Sequence, residues 1–231
     1  MSAAGGVSTG RLVASLLYVL VFPALLLLLS GDWQWLEGWI FSAWYTALCV
    51  GTIVYLYRRD PALLAERFRK PGTGDQKGWD ALVVVAIVVG FVAWIVVMPL
   101  DARRFHWSHL PRWLEPAGGA ALLASAFLFF RSYADNTFLS PLVRIQEDRK
   151  QQVVSTGVYG FVRHPMYLGA ALLFTGTPLL LGSAWGLAIG GAMILLLAGR
   201  TVGEERMLTR ELAGYDEYKH RVRYRLVPYV W

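Results

Sequence analysis

Cysteine is nearly absent from this chain of 231 residues. The single Cys49 lies inside an apolar run, so no disulfide can form within one chain. The run offers its thiol neither a base nor a positive neighbour, which argues against a nucleophile. Charge is scarce too. Charged residues make up 16% of the chain, where a soluble domain carries about 25%. No P-loop or dinucleotide fingerprint is present, nor a nucleophile elbow. Internal repeats and low-complexity linkers are also missing. His106 and His109 form an isolated HxxH without further His or Cys nearby, so no metal centre is expected.

What the chain does have is apolar length. It is 56% hydrophobic, with a mean hydropathy of +0.44. The net charge of +6 would suggest nucleic acid in a soluble protein. Here the basic residues flank apolar runs, so the partner expected is the lipid bilayer and its anionic headgroups, not nucleic acid.

A spanning helix needs roughly 20 mostly apolar residues. Six stretches qualify or come close: Leu12 to Ser30, Trp35 to Tyr57, Asp80 to Leu100, Ala117 to Phe130, Met166 to Leu181 and Ser183 to Gly199. The first is too long for a signal peptide and reads as a retained anchor. The last two are separated only by Gly182 and its neighbours, so they predict a tight hairpin, each arm short for a full crossing. The fold class expected is therefore all-α: a polytopic membrane bundle of about six helices ending in a hairpin. One domain, 1–231, is the simplest division, with N-terminal helices at 1–116 and a core at 117–231.

Placing both termini in the cytoplasm puts nineteen Lys and Arg residues on the inner side and only Arg103, Arg104 and Arg112 outside. That asymmetry fixes the expected orientation. Asp60-Pro61 reads as an N-cap followed by a first-turn proline. Leu63, Leu64 and Phe68 would then lie on the membrane surface as a short amphipathic helix. Beyond Gly203 the tail predicts a charged helix with Leu208, Leu212, Tyr215 and Tyr218 at helical spacing.

The polar residues capable of chemistry lie in 131–165 and 200–225, on the same expected side. Arg163 and His164 lead into the hairpin; Arg200 and Glu204 follow it. A short hairpin places all four around one cup. Pro165 forces His164 out of the helical region and starts a helix. Irregular backbone there must be buried in protein or line a polar cavity, and its free N–H groups could hold an anion. Taken alone, the glycine-rich stretch also fits a plain turn. Arg200 and Glu204 equally fit a helical i,i+4 ion pair.

The run Gly157-Val158-Tyr159, Arg163-His164-Pro165-Met166-Tyr167-Leu168-Gly169, then Arg200, Glu204-Glu205, Tyr215 and Tyr218 resembles the isoprenylcysteine carboxyl methyltransferases and the related phospholipid methyltransferases. The likeness covers about residues 131–228 and looks most like the bacterial members. It implies S-adenosylmethionine as cofactor. It also implies cofactor contacts by Gln146, Gln151, Gln152, Val153, Val154, Tyr159, His164, Pro165, Met166, Tyr167 and Glu204. Arg200 matches the arginine that meets the acceptor, and Arg200, Glu204 and His164 form the expected catalytic set. Position 151 is glutamine where eukaryotic members tend to have histidine.

The implied activity is methyl transfer to a lipidic or small hydrophobic acceptor, foremost a prenylcysteine-type carboxylate, at a bacterial inner membrane. Alternatives are a phospholipid amine, a small thiol, or a sterol-reductase-like enzyme using NADPH. An amine would need a base, with His164 or Glu205 the first candidates. A permease is disfavoured because no ionisable group lies mid-span.

Overall fold

The computed structural model describes residues 8–72 and 75–231. Among them the regular structure is helical: α1 (Thr9–Ser30), α2 (Leu36–Arg59), α3 (Pro61–Arg67), α4 (Gly78–Pro99), α5 (Glu115–Asp135), α6 (Pro165–Leu181), α7 (Ala184–Glu211) and α8 (Tyr215–Arg221). Five helical segments are long and apolar enough to cross a bilayer: α1, α2, α4 with the π-helical turn Leu100–Phe105, α5 with the turn before it, and α7. The helix α6, with 17 residues, is the shorter apolar partner.

Two expectations about length change. The arm after Gly182 is not short: α7 runs 28 residues without interruption. The charged helix expected from Gly203 is its continuation. That helix stops at Glu211, and Gly214, at φ +80°, turns the chain into α8. Tyr215 and Tyr218 therefore sit on a different helix from Leu208, yet all three still pack in one cluster with Val143 and Val222.

The short helix α3 begins as expected, with Asp60 Oδ1 accepting from the Leu63 N–H at 2.9 Å and Pro61 in the first turn. Its apolar face does not lie on lipid. Leu63 and Leu64 are buried, at 0% and 3% exposure, against Leu56, Tyr55, Tyr133 and Leu139. The loop after α5 supplies the cover that the membrane was expected to give.

The main core joins α1, α2, α4, α6 and α7 around Phe41, Trp94, Phe174 and Met98. The most extensive contact is α5 against α6. A Cβ on Gly118 would come 2.5 Å from the Leu180 nitrogen and 2.7 Å from the Gly176 carbonyl oxygen. Small residues are what let two backbones approach this closely without lipid between them. At the hairpin end, Asp101 Oδ2 accepts from Ser108 and Ser183 hydroxyls at 2.7 and 2.6 Å and from the Trp185 N–H at 3.2 Å. This staple fixes the turn of α6–α7 to the end of α4. The opposite end, where the hairpin opens, carries the loop after α5 and the tail.

Because backbone blocks any Cβ at Gly118, Gly118→Val should destabilise the bundle by about 2 kcal/mol or more, as overpacking does. The measurement is the thermal unfolding midpoint in detergent; an unchanged midpoint would mean that α5 and α6 can separate freely.

Candidate active site

The site starts from Pro165. It occupies the first turn of α6 and leaves His164 as a non-helical cap at φ −126°, ψ 63°. The backbone N–H groups of Arg163 and His164 are not free for an anion. They donate to the carbonyls of Tyr224 and Arg225, each at 2.9 Å. The C-terminal tail thus runs beside the start of α6 as a strap.

Glu205 locks that strap. Its Oε1 receives Arg163 Nε at 2.6 Å and faces His164 Nε2 at 3.2 Å; its Oε2 receives Arg225 Nε at 2.7 Å. The Arg163 guanidinium also donates to the carbonyls of Val222 and Arg223, both at 2.7 Å. Glu205 is 4% exposed, and its partners account for both oxygens. The hairpin entrance and exit therefore meet.

One residue earlier, Glu204 faces the other way. Its Oε2 accepts from the Tyr167 hydroxyl at 2.6 Å. The Tyr167 ring lies parallel to His164, with centroids 5.5 Å apart. The Arg200 guanidinium lies over that ring at 5.8 Å.

Arg200 does not pair with Glu204, the helical neighbour at i+4. Its Nε donates to Asp80 Oδ1 at 2.8 Å, and its Nη2 donates to the Pro141 carbonyl at 2.8 Å. Asp80 is fully buried. Its other oxygen accepts from the Val143 N–H at 2.9 Å and from Gln76 Nε2 at 2.8 Å. One carboxylate on α4 thus holds both the arginine of α7 and the loop after α5.

That loop is anchored a second time. Arg144 makes a bidentate pair with Glu66 of α3, at 3.0 and 2.9 Å, and Ser140 donates to Glu66 Oε1 at 2.8 Å. Burial pushes the Glu66 carboxyl up, but the Arg144 and Ser140 hydrogen bonds outweigh it and hold the group below its usual range.

These anchors enclose a cavity of about 320 Å³. Of the residues expected to bind cofactor, Gln146, Gln151, Gln152, Val153, Val154, Tyr159, His164, Met166, Tyr167 and Glu204 all line it, as does Arg200. Pro165 does not line it; it is buried and sets the helix start. Gln146 is committed to the loop: Nε2 donates to the Phe138 carbonyl at 2.5 Å and Oε1 accepts from Arg149 at 2.9 Å. The Gln151 side-chain oxygen Oε1 accepts the Gln146 backbone N–H at 2.8 Å.

Tyr159 sits in a 3-10 turn at Gly157–Gly160. Gly157, at φ +58°, is required there: a Cβ would fall 1.9 Å from an Asp135 oxygen. That carboxylate accepts the Val158 N–H at 2.9 Å. The Tyr159 hydroxyl lies near Asn136 and Ser132, without a hydrogen bond of normal geometry. The Tyr215 hydroxyl, also buried, has no partner among the described residues. Burial pushes both phenols well above their ordinary range. Two hydroxyls kept protonated in the wall, with Glu204 beside them, form a set that a polar, positively charged organic ligand can satisfy. No cluster of metal-binding residues occurs among the described residues.

Sequence reasoning missed Asp80, the Glu66–Arg144 pair and Arg225. An acid in the first turn of an apolar helix reads as a dipole partner. Its only signal was position: α4 and α7 both end at the charged side, where a buried arginine needs an acid.

Comparison with known proteins agrees with this architecture. The family model of the phospholipid methyltransferases matches residues 117–213. The fold is similar to that of a solved eukaryotic intramembrane Ras methyltransferase, isoprenylcysteine carboxyl methyltransferase. The TM-score is 0.53 and the identity 18%, over 92% of this chain and 74% of that one. A Lamin-B receptor of Drosophila melanogaster is 28% identical over 84% of this chain and 29% of that protein. A Delta(14)-sterol reductase of Mus musculus is 29% identical over 44% of this chain and 25% of that protein. The chain spans less than a third of the length of these two curated relatives. The fold is that of a polytopic membrane helical bundle, similar to the one seen in that methyltransferase. Within it, residues 117–213 are the part similar to the phospholipid methyltransferases.

Two outcomes are expected. Asp80→Asn keeps an acceptor for the loop but strands the Arg200 charge, a loss of about 3 kcal/mol or more, read as a lower thermal midpoint; an unchanged midpoint would mean Arg200 finds another partner. Glu66 has a folded pKa below its unfolded one. Its contribution is therefore complete above about pH 4.3 and fades as pH falls through the folded value. The hydrogen-exchange protection of residues 137–146, relative to the intrinsic rate at each pH, should fall on acidification in that window and stay flat in Glu66→Gln.

Proposed function

We propose that this protein is an S-adenosylmethionine-dependent methyltransferase that modifies a lipidic or small acceptor at the membrane boundary, foremost a carboxylate. The observation that carries this reading is the convergence of Glu204, Tyr167, Tyr159, Tyr215 and the 151–154 backbone on one cavity. Residues from two separated stretches of chain build a wall suited to a ligand bearing an ammonium group and a polarisable cation.

The bound cofactor would supply a methyl group on a sulfonium, already activated for displacement. The protein then mainly positions donor and acceptor. Glu204 is the acid suited to the ammonium group, and Tyr167 orients it through the 2.6 Å hydrogen bond. The Tyr159 and Tyr215 hydroxyls are donors for the remaining polar edges. Arg200 has spent Nε–H and one Nη2–H on Asp80 and Pro141, which leaves three of its five donors. Its charge attracts an anionic acceptor, which the free edge can hold.

His164 and Glu205 bear on the acceptor type. Glu205 is held by Arg163, His164 and Arg225, which makes it a poor proton acceptor. An acceptor that is already anionic needs no base, so a carboxylate is favoured over an amine. His164 acts as a positioning residue, stacked on Tyr167 and tied to Glu205. We assign both termini to the cytoplasm of a bacterial inner membrane, where the soluble cofactor reaches the cavity directly. The whole chain then works as one catalytic unit.

Calorimetry in detergent tests the reading. Wild-type protein should bind S-adenosylmethionine, and Glu204→Gln should weaken binding about tenfold or more, the scale of a lost charge-assisted hydrogen bond. Arg200→Lys should reduce turnover of a native lipid extract more than cofactor affinity. Binding of NADPH in place of S-adenosylmethionine would instead assign a reductase.

A further inference from the structure

A second concavity, about 640 Å³, lies between α4 and α7 and shares Arg200 and Met207 with the first. Its two ends differ in chemistry. Towards the bundle centre its wall is Val83, Leu195 and Leu196, with Leu195 74% exposed. Towards the charged end it is rimmed by Lys77, Arg206 and Arg210. The Trp79 ring packs on Gly203 between them, where a Cβ would come within 2.6 Å.

The three cations are not equivalent. Lys77 is paired with Glu211 at 2.8 Å. Arg206 and Arg210, one helical turn apart on α7, are exposed and have no ion pair or hydrogen bond among the described residues. Every other arginine at this end that lines the first cavity is committed: Arg144 to Glu66, Arg163 to Glu205 and Arg200 to Asp80. Arg67 lies over the Tyr133 ring. Two unspent cations above an apolar trough match an amphiphile with an acyl-type chain and an anionic headgroup, with the chain below and the headgroup level with Arg206 and Arg210.

We propose that this groove docks a membrane lipid bearing an anionic headgroup. Charge complementarity selects the headgroup, and the Trp79–Gly203 contact sets the groove's floor.

Quenching of Trp79 tests the docking. Protein is reconstituted with phosphatidylglycerol or phosphatidylcholine carrying brominated chains. The Trp79 share is the difference between wild type and Trp79→Phe. Half-maximal quenching should need roughly tenfold less of the anionic lipid, from two cations at headgroup level. The preference should vanish in R206Q/R210Q and persist in R206K/R210K. Equal quenching by both lipids, or a preference that survives R206Q/R210Q, overturns the proposal. Quenching needs no cofactor, so failure to bind S-adenosylmethionine would strike the methyltransferase reading while leaving the docking result standing.

Discussion

Glu205 is the residue on which the site depends. A buried carboxylate is tolerated only when its charge is matched and its oxygens are occupied. Here Arg163, His164 and Arg225 do both. The three partners come from the start of α6 and from the tail, while Glu205 belongs to α7. Their shared need for neutralisation ties the open end of the hairpin to the chain's last residues. The paired backbone of 163–164 and 224–225 follows from that tie, and it holds Arg163 and His164 in the cavity lining.

Asp80 does the same from the other side. It joins α4, α7 and the loop after α5 through Arg200, Val143 and Gln76. Neither cluster would be the most stable way to fill its volume, since well-packed apolar side chains often match a buried ion pair. What the ion pairs add is direction. They fix which edges of Arg200 face the cavity and keep the loop at one height above it.

The sequence made the helices, the hairpin and the meeting of Arg163-His164 with the residues after Arg200 legible, because each follows from local pattern. Apolar length marks spans, Pro165 marks a helix start, and Gly182 marks a reversal. The cavity lining at 146–167 came from family resemblance rather than from spacing, and ten of its eleven expected cofactor contacts do face the cavity. What stayed hidden is long-range pairing. Nothing near Asp80 points to Arg200, 120 residues away. Glu66 looks like an ordinary surface acid until Arg144 folds onto it. Leu63 and Leu64 fit a membrane face as well as a protein face, and only the packed loop decides between them.

The last turns of α7 show how one helix can serve four environments. Successive residues project about 100° apart, so neighbours in sequence face different surroundings. Arg200 turns to Asp80, Glu204 to the cavity, Glu205 to the tail strap and Arg206 to the outer groove. Two adjacent glutamates thereby acquire opposite duties. Glu205 is neutralised by three partners and seals the structure. Glu204 keeps an oxygen without a hydrogen-bond donor, beside protonated tyrosines, and remains available to a cation. A shift of register by one residue would either bring Arg206 against Arg163 and Arg225 or leave Gly203 where the cavity needs an acid. The buried pairs of Arg163 and Arg200 prevent that shift, which is why structural and ligand-facing charges can coexist within two turns of one helix.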